Sequence, residues 1–183
     1  MTAADLDRLI ADHARFPDVL RALVPFDDPG LLREREIDGR WSPLEILAHL
    51  EEEERRDFRV RARLAAEGGR FEESHRIDPP GWVTEHRYNE QDPRKVIEAF
   101  ARERAASAAW LETLDVAALS RTVDIPGLGT FRCGDFVAAW REHDLLTLRQ
   151  LSTALAILTA RRLGEWKVEY SGTIPAPPSQ APG

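Results

Sequence analysis

Apolar positions along the chain fall into four long periodic stretches. In the first, Leu6, Leu9, Ile10, His13, Phe16, Leu20 and Leu23 recur at spacings of three and four. This predicts an amphipathic helix from about Ala3 to Val24. Pro17 lies inside it and should kink or split it, because proline removes a donor and crowds the preceding turn. The segment "SPLE" opens a second helix, with Ser42 as N-cap, Pro43 at the first helical position and Glu45 completing a capping box. It should run to Glu67, where two glycines stop it. Its inward stripe reads Ile46, His49, Leu50, Glu53, Asp57, Val60 and Leu64. Asp92 and Pro93 start a third helix, to about Leu114, with Val96, Ile97, Phe100, Arg104, Ser107, Trp110 and Leu111 on or near one face. A fourth begins near Gly134 or Asp135 and meets no Gly or Pro until Gly164. It would form a rod of roughly 40 Å unless it breaks near Ser152.

The intervening segments read differently. "LLREREIDGRW" is a connector, partly extended. Residues 68–92 make a long connection, expected to be functional, mobile or partly structured. "RTVDIPGLGTF" predicts a turn or short hairpin before the fourth helix. The economical architecture is all-α: an up-down-type four-helix bundle over residues 1–164. A Pro-rich tail over 165–183, ending "IPAPPSQAPG", has little to bury and is expected to be flexible.

Composition narrows the picture. With 183 residues, the chain suits one well-buried domain. A single cysteine, Cys133, permits no intramolecular disulfide and fits a reducing, cytoplasmic setting. The acidic N-terminal stretch lacks the basic start and apolar block of a secretory signal. The most apolar run, "LSTALAILTA", is about half the ~20 residues a membrane span needs. A net charge of −7 opposes a nucleic-acid partner. The expected partner is a small-molecule substrate or ligand.

The chemistry centres on two helices. His49 and Glu53 stack on the inward face of helix 2, four residues apart. His143 lies on the inward stripe of helix 4, with Phe136, Trp140, Thr147, Gln150 and Leu151. Zinc chemistry asks for three protein ligands and an open position. Two imidazoles are on offer, and the third ligand would be Glu53, or Thr147 through a water. The competing reading is structural: core histidines, a buried His–Glu hydrogen bond, and a solvated "EEEE" face at 51–54. His13 faces the core beside Pro17; His75 and His86 sit in the long loop, where His86 is placed to cover a site. Cys133, near a helix N-terminus, is either a reactive thiol or a small buried residue. No P-loop, GxGxxG, CxxC or Ser-His-Asp pattern is present.

Three segments carry a family resemblance: "GRWSPLEILAHLEEEE", "GWVTEHRYNEQDPRKVIEAFARERAASAAWLETL" and "GTFRCGDFVAAWREHDLLTLRQL". In this order they resemble the DinB-like (YfiT-like) bundle proteins, across most of residues 3–151. The resemblance implies a four-helix bundle with a divalent-metal site, zinc or nickel, held by three histidines. Two match His49 and His143; the third falls on Thr147, so this chain departs from the pattern at a ligand. Family members with assigned chemistry imply a metal-dependent thiol S-transferase, using a low-molecular-weight thiol, or a metal-dependent hydrolase. Arg87, Tyr88 and Trp82 would then line the substrate pocket. The alternative is a metal-free, non-catalytic binding or stress-response bundle, dimeric, taking an apolar ligand near Trp140 and Trp110.

Overall fold

Ser42 sets the second long helix in place. Its hydroxyl accepts the Glu45 N–H at 3.1 Å, the Glu45 carboxylate accepts the Ser42 N–H at 2.7 Å, and Pro43 takes the first helical position. The helix that follows is α3 (Pro43–Glu52), a π-helical turn (Glu53–Phe58) and α4 (Arg59–Glu67) in succession. Gly68, at φ 70°, ends it in the left-handed region that glycine adopts without a Cβ penalty. In this computed structural model, residues 2–173 are described; the Pro-rich segment 174–183 lies outside the described residues.

The other elements follow in order. They are α1 (Ala3–Leu23), α2 (Pro29–Arg33), α5 (Pro79–Glu85), α6 (Pro93–Leu111), a hairpin of β1 (Thr122–Ile125) and β2 (Gly129–Arg132), and α7 (Cys133–Leu163). The hairpin is antiparallel, with Thr122 opposite Arg132 and Ile125 opposite Gly129. The connector contains α2, so it is not simply extended. The long connection is partly structured, holding α5 between two 3₁₀ turns. The fourth helix does not break at Ser152; 31 residues at ~1.5 Å each make a rod of roughly 46 Å.

Four long helices form the bundle. Both α1 and the α3–α4 helix pack on α6 and on α7, so they occupy opposite corners. Two apolar clusters fill the interior. One gathers Phe16, Leu20, Leu47, Phe100, Leu151 and Leu158. The other gathers Leu6, Ile10, Ala65, Leu111, Val137 and Trp140. Between them each helix contributes a polar residue at one level: His13, Glu54, Arg104 and Asp144, all essentially inaccessible.

Two local features have a physical reason. Pro17 does not split α1, which runs unbroken from Ala3 to Leu23, and the acceptor it frees is met. Proline at position 17 deprives the His13 carbonyl of its usual helical donor, and Arg104 Nη1 supplies one at 3.3 Å. The "EEEE" run is not a solvated face: Glu52, Glu53 and Glu54 are buried. The helix carrying them is packed on several sides, so carboxylates pointing in different directions all meet protein. Beyond the π turn the buried face becomes Ala62, Ala65 and Ala66, while Val60 and Leu64 are half-buried. A turn wound with one extra residue rotates everything after it.

The Ser42 hydroxyl also donates to Asn89 Oδ1 at 2.7 Å, tying the cap to the long connection. Ser42→Ala is therefore expected to lower stability by about 1–2 kcal/mol, measured by urea denaturation. A loss below a few tenths of a kcal/mol would show that the cap is replaceable.

Candidate metal centre

His49 and Glu53 share a face because four residues separate them on the helix that enters the π turn. His143 approaches from the middle of α7. Among the described residues, His49, Glu53 and His143 are the group whose donor atoms converge, all within 4.8 Å of one another. His49 Nδ1 is buried without a hydrogen-bond partner and lies 3.7 Å from Glu53 Oε1. That is too long for a hydrogen bond. It is close to the roughly 3.3 Å that two donors at about 2.0–2.1 Å from a tetrahedral zinc would keep.

The walls are aromatic. Trp41 lies over His49 with ring centroids 4.8 Å apart, and Phe58 stands 5.1 Å from His143. The two imidazoles meet edge-on, with ring centroids 5.5 Å apart. Thr147 is buried one turn beyond His143 and adds only a neutral hydroxyl. The donor set within reach is two imidazoles and one carboxylate.

Electrostatics prepares these groups unequally. Burial, with His143 beside it, pushes His49 down to about 3. Burial likewise lowers His143 to about 4, against the opposing pull of Asp144. Both are therefore neutral at pH 7, the form that binds metal. Glu53 moves the other way: burial and the neighbouring Asp57 push it up to about 9. Burial also raises Asp57, while Arg61 and the hydrogen bond from Glu53 oppose the rise. The Glu53 carboxyl accordingly holds a proton at neutral pH in the metal-free protein.

The remaining sequence candidates lie elsewhere. His13 belongs to the buried polar layer, with Nδ1 2.9 Å from Arg104 Nη1 and 3.4 Å from Asp144. His86 is half-buried, its Nδ1 3.1 Å from Glu52 Oε1, and is not in the converging group. His75 caps its own 3₁₀ turn by accepting the Glu72 N–H. Cys133 is fully buried and its thiol is pushed up to about 11, so it is the small buried residue and not a reactive thiol. Arg87 is turned to solvent and paired with Glu90, whereas Trp82 and Tyr88 are packed in the core. Those three therefore do not form one pocket wall. Trp140 is sealed by Phe58, His13 and the Glu54 carboxylate; Trp110 sits under Arg63. An apolar cleft of about 780 Å³ lies further along α7, between Leu23, Leu31, Leu155, Thr159 and Leu163.

Sequence reasoning placed Arg104 on the inward face of its helix but gave it no partner, and it passed over Glu54 and Asp144. The one local signal for Glu54 and Asp144 was that each is next in sequence to a candidate ligand.

The sequence model of the DinB superfamily matches residues 4–151. This chain belongs to that superfamily. Its fold is similar to that of YfiT from Bacillus subtilis, described as a probable metal-dependent hydrolase with an unusual four-helix bundle topology. The two share 18% identity over 91% of each chain, with a TM-score of 0.71. No curated protein matches the sequence. No helix of the described residues is long and apolar enough to cross a membrane.

Two pH effects follow for this DinB-superfamily chain. An ion taken by His49, Glu53 and His143 must displace the Glu53 proton and no imidazole proton. Apparent affinity should therefore rise about tenfold per pH unit between about pH 5 and 9, measured by chelator competition; a flat profile would mean that Glu53 is not a ligand. In the metal-free protein, a carboxyl raised on folding stabilises fully below its unfolded value near 4.5 and loses that contribution as pH rises toward 9. The stability of Glu53→Gln relative to wild type should thus increase from pH 5 to 8, measured by denaturant titration.

Proposed function

We propose that this chain is a divalent-metal-dependent enzyme in which His49, Glu53 and His143 hold the ion and leave a coordination position for a nucleophile. The observation that carries the reading is the convergence of these three donor groups around a buried, unpartnered His49 Nδ1. Two histidines and a carboxylate with an open position form a set that zinc hydrolases use. Bound metal would lower the pKa of a water, or of a low-molecular-weight thiol, into the neutral range.

The chain's own residues supply the rest. Trp41 and Phe58 exclude bulk water from one side and strengthen charge interactions within. Asp57, four residues beyond Glu53, is buried, paired with Arg61 through its Oδ1, and has a pKa raised by burial. It is the base placed to receive the proton that the nucleophile releases. The similarity to YfiT supports hydrolysis; the family resemblance supports thiol transfer. Both need the same ion and the same base, and they differ in which nucleophile occupies the open position.

Protein purified without an affinity tag or chelator should carry close to one equivalent of zinc or another divalent ion by elemental mass spectrometry. His49→Ala should remove it. Thr147→His, which supplies a third imidazole on α7, should tighten binding by at least tenfold. Wild-type protein that stays metal-free after incubation with zinc, nickel and manganese would sink the reading and leave a non-catalytic binding bundle.

A further inference from the structure

Two of the three candidate ligands are followed in sequence by a buried carboxylate that is held on Arg104 and is not among the converging donors. Glu54 follows Glu53, and Asp144 follows His143. Both carboxylates are completely buried and both are held by one guanidinium, that of Arg104 on α6. Arg104 Nε donates to Glu54 Oε1 at 2.9 Å. Its Nη1 and Nη2 donate to the two oxygens of Asp144 at 2.7 and 2.8 Å, a bidentate fork. Trp140 Nε1 adds a second donor to Glu54 at 2.8 Å, from the same helix that carries His143.

The geometry points to the Glu54–Arg104–Asp144 bridge as the positioning device of the metal centre: Arg104 fixes the separation of the π turn bearing Glu53 from the stretch of α7 bearing His143. This rests on the metal-site reading above and adds residues that touch no metal. Bulk stability does not require the bridge, because a buried ion network is commonly matched or exceeded by well-packed apolar residues. What the ions supply is registry. A fork of fixed shape tolerates little sliding of α7 past the π turn, whereas apolar side chains of similar volume tolerate more. The π turn belongs to the same device, because it carries both Glu53, beside His49, and Glu54, held by Arg104. Arg104 is thus a positioning residue, acting on Glu53 and His143 through their neighbours.

The test compares full-length wild type with Arg104→Lys, Glu54→Gln and Trp140→Phe, using cobalt(II) as the probe. Affinity is read by titration, ligand geometry by the visible absorption spectrum, and folding by circular dichroism. Leu158→Ala, in the apolar cluster away from the bridge, serves as a control that loses stability through a cavity. Arg104→Lys and Glu54→Gln are expected to weaken cobalt binding by about 10–100-fold and alter the spectrum. Trp140→Phe should do so by a smaller factor, and Leu158→Ala should leave both readouts unchanged. Folded bridge variants with wild-type affinity and spectrum would overturn the positioning role while leaving the metal site standing. An equal loss in Leu158→Ala would overturn it as well, since general destabilisation would then explain the effect. If Arg104→Lys does not fold, Trp140→Phe and Glu54→Gln decide by the same criteria. Wild type that binds no cobalt would overturn the metal-site reading itself, and the positioning role with it.

Discussion

A single buried guanidinium joins all four long helices. Arg104 projects from α6 and reaches the His13 carbonyl on α1, Glu54 on the π turn and Asp144 on α7. Desolvation alone would lower its pKa; the two carboxylates outweigh this and raise it, so the charge persists. Asp144 is likewise disfavoured by burial yet held below the usual carboxylate range by Arg104 and His13. The rings of Phe100, Phe16 and Trp140 stand 4.8, 5.7 and 5.8 Å from the guanidinium carbon. Removing any one member would strand a buried charge, which costs far more than the pair contributes net. The network is therefore strict about geometry, and it sits at the level where the two apolar clusters meet.

Two backbone irregularities are explained by this layer. Pro17 leaves one carbonyl of α1 without a helical donor, and Arg104 Nη1, which also faces His13 Nδ1 and Asp144, donates to it. The π turn would otherwise be a defect in the middle of a well-capped helix. It carries two successive carboxylates with different partners: Glu53 beside His49, and Glu54 against Arg104 and Trp140. Irregular backbone in both helices meets the one side chain able to satisfy several acceptors at once.

Much of the frame was legible because helix starts have local chemistry. Ser42 with Pro43, Asp92 with Pro93, and the stops at Gly68 and Gly164 are readable one segment at a time. The pairing of His49 with Glu53 was legible for the same reason, since a four-residue spacing fixes a shared face. What escaped was non-local. Periodicity cannot register an inserted residue within a helix, so the π turn and the rotation of the stripe onto Ala62 and Ala65 were hidden. Composition reads four consecutive glutamates as solvated, because it cannot know that their helix is surrounded. Asp144, adjacent to His143, fell off the apolar stripe by one position, yet it is among the most buried residues of the bundle.

In the proposed site a carboxylate would complete the set for which the family resemblance implies a third imidazole, and that would change more than the identity of one ligand. Three neutral histidines around a divalent ion leave a site of charge +2, whereas two histidines and an ionised Glu53 leave +1. The lower charge weakens the pull on a bound water or thiol, and oxygen ligation shifts preference toward harder ions. The carboxylate also arrives with a proton that must leave, because burial beside Asp57 holds Glu53 protonated until an ion competes for it. Histidines already neutral at pH 7 impose no such step. In the proposed site, occupancy is therefore coupled to pH through Glu53 alone, and Asp57 is the neighbour through which that coupling is set.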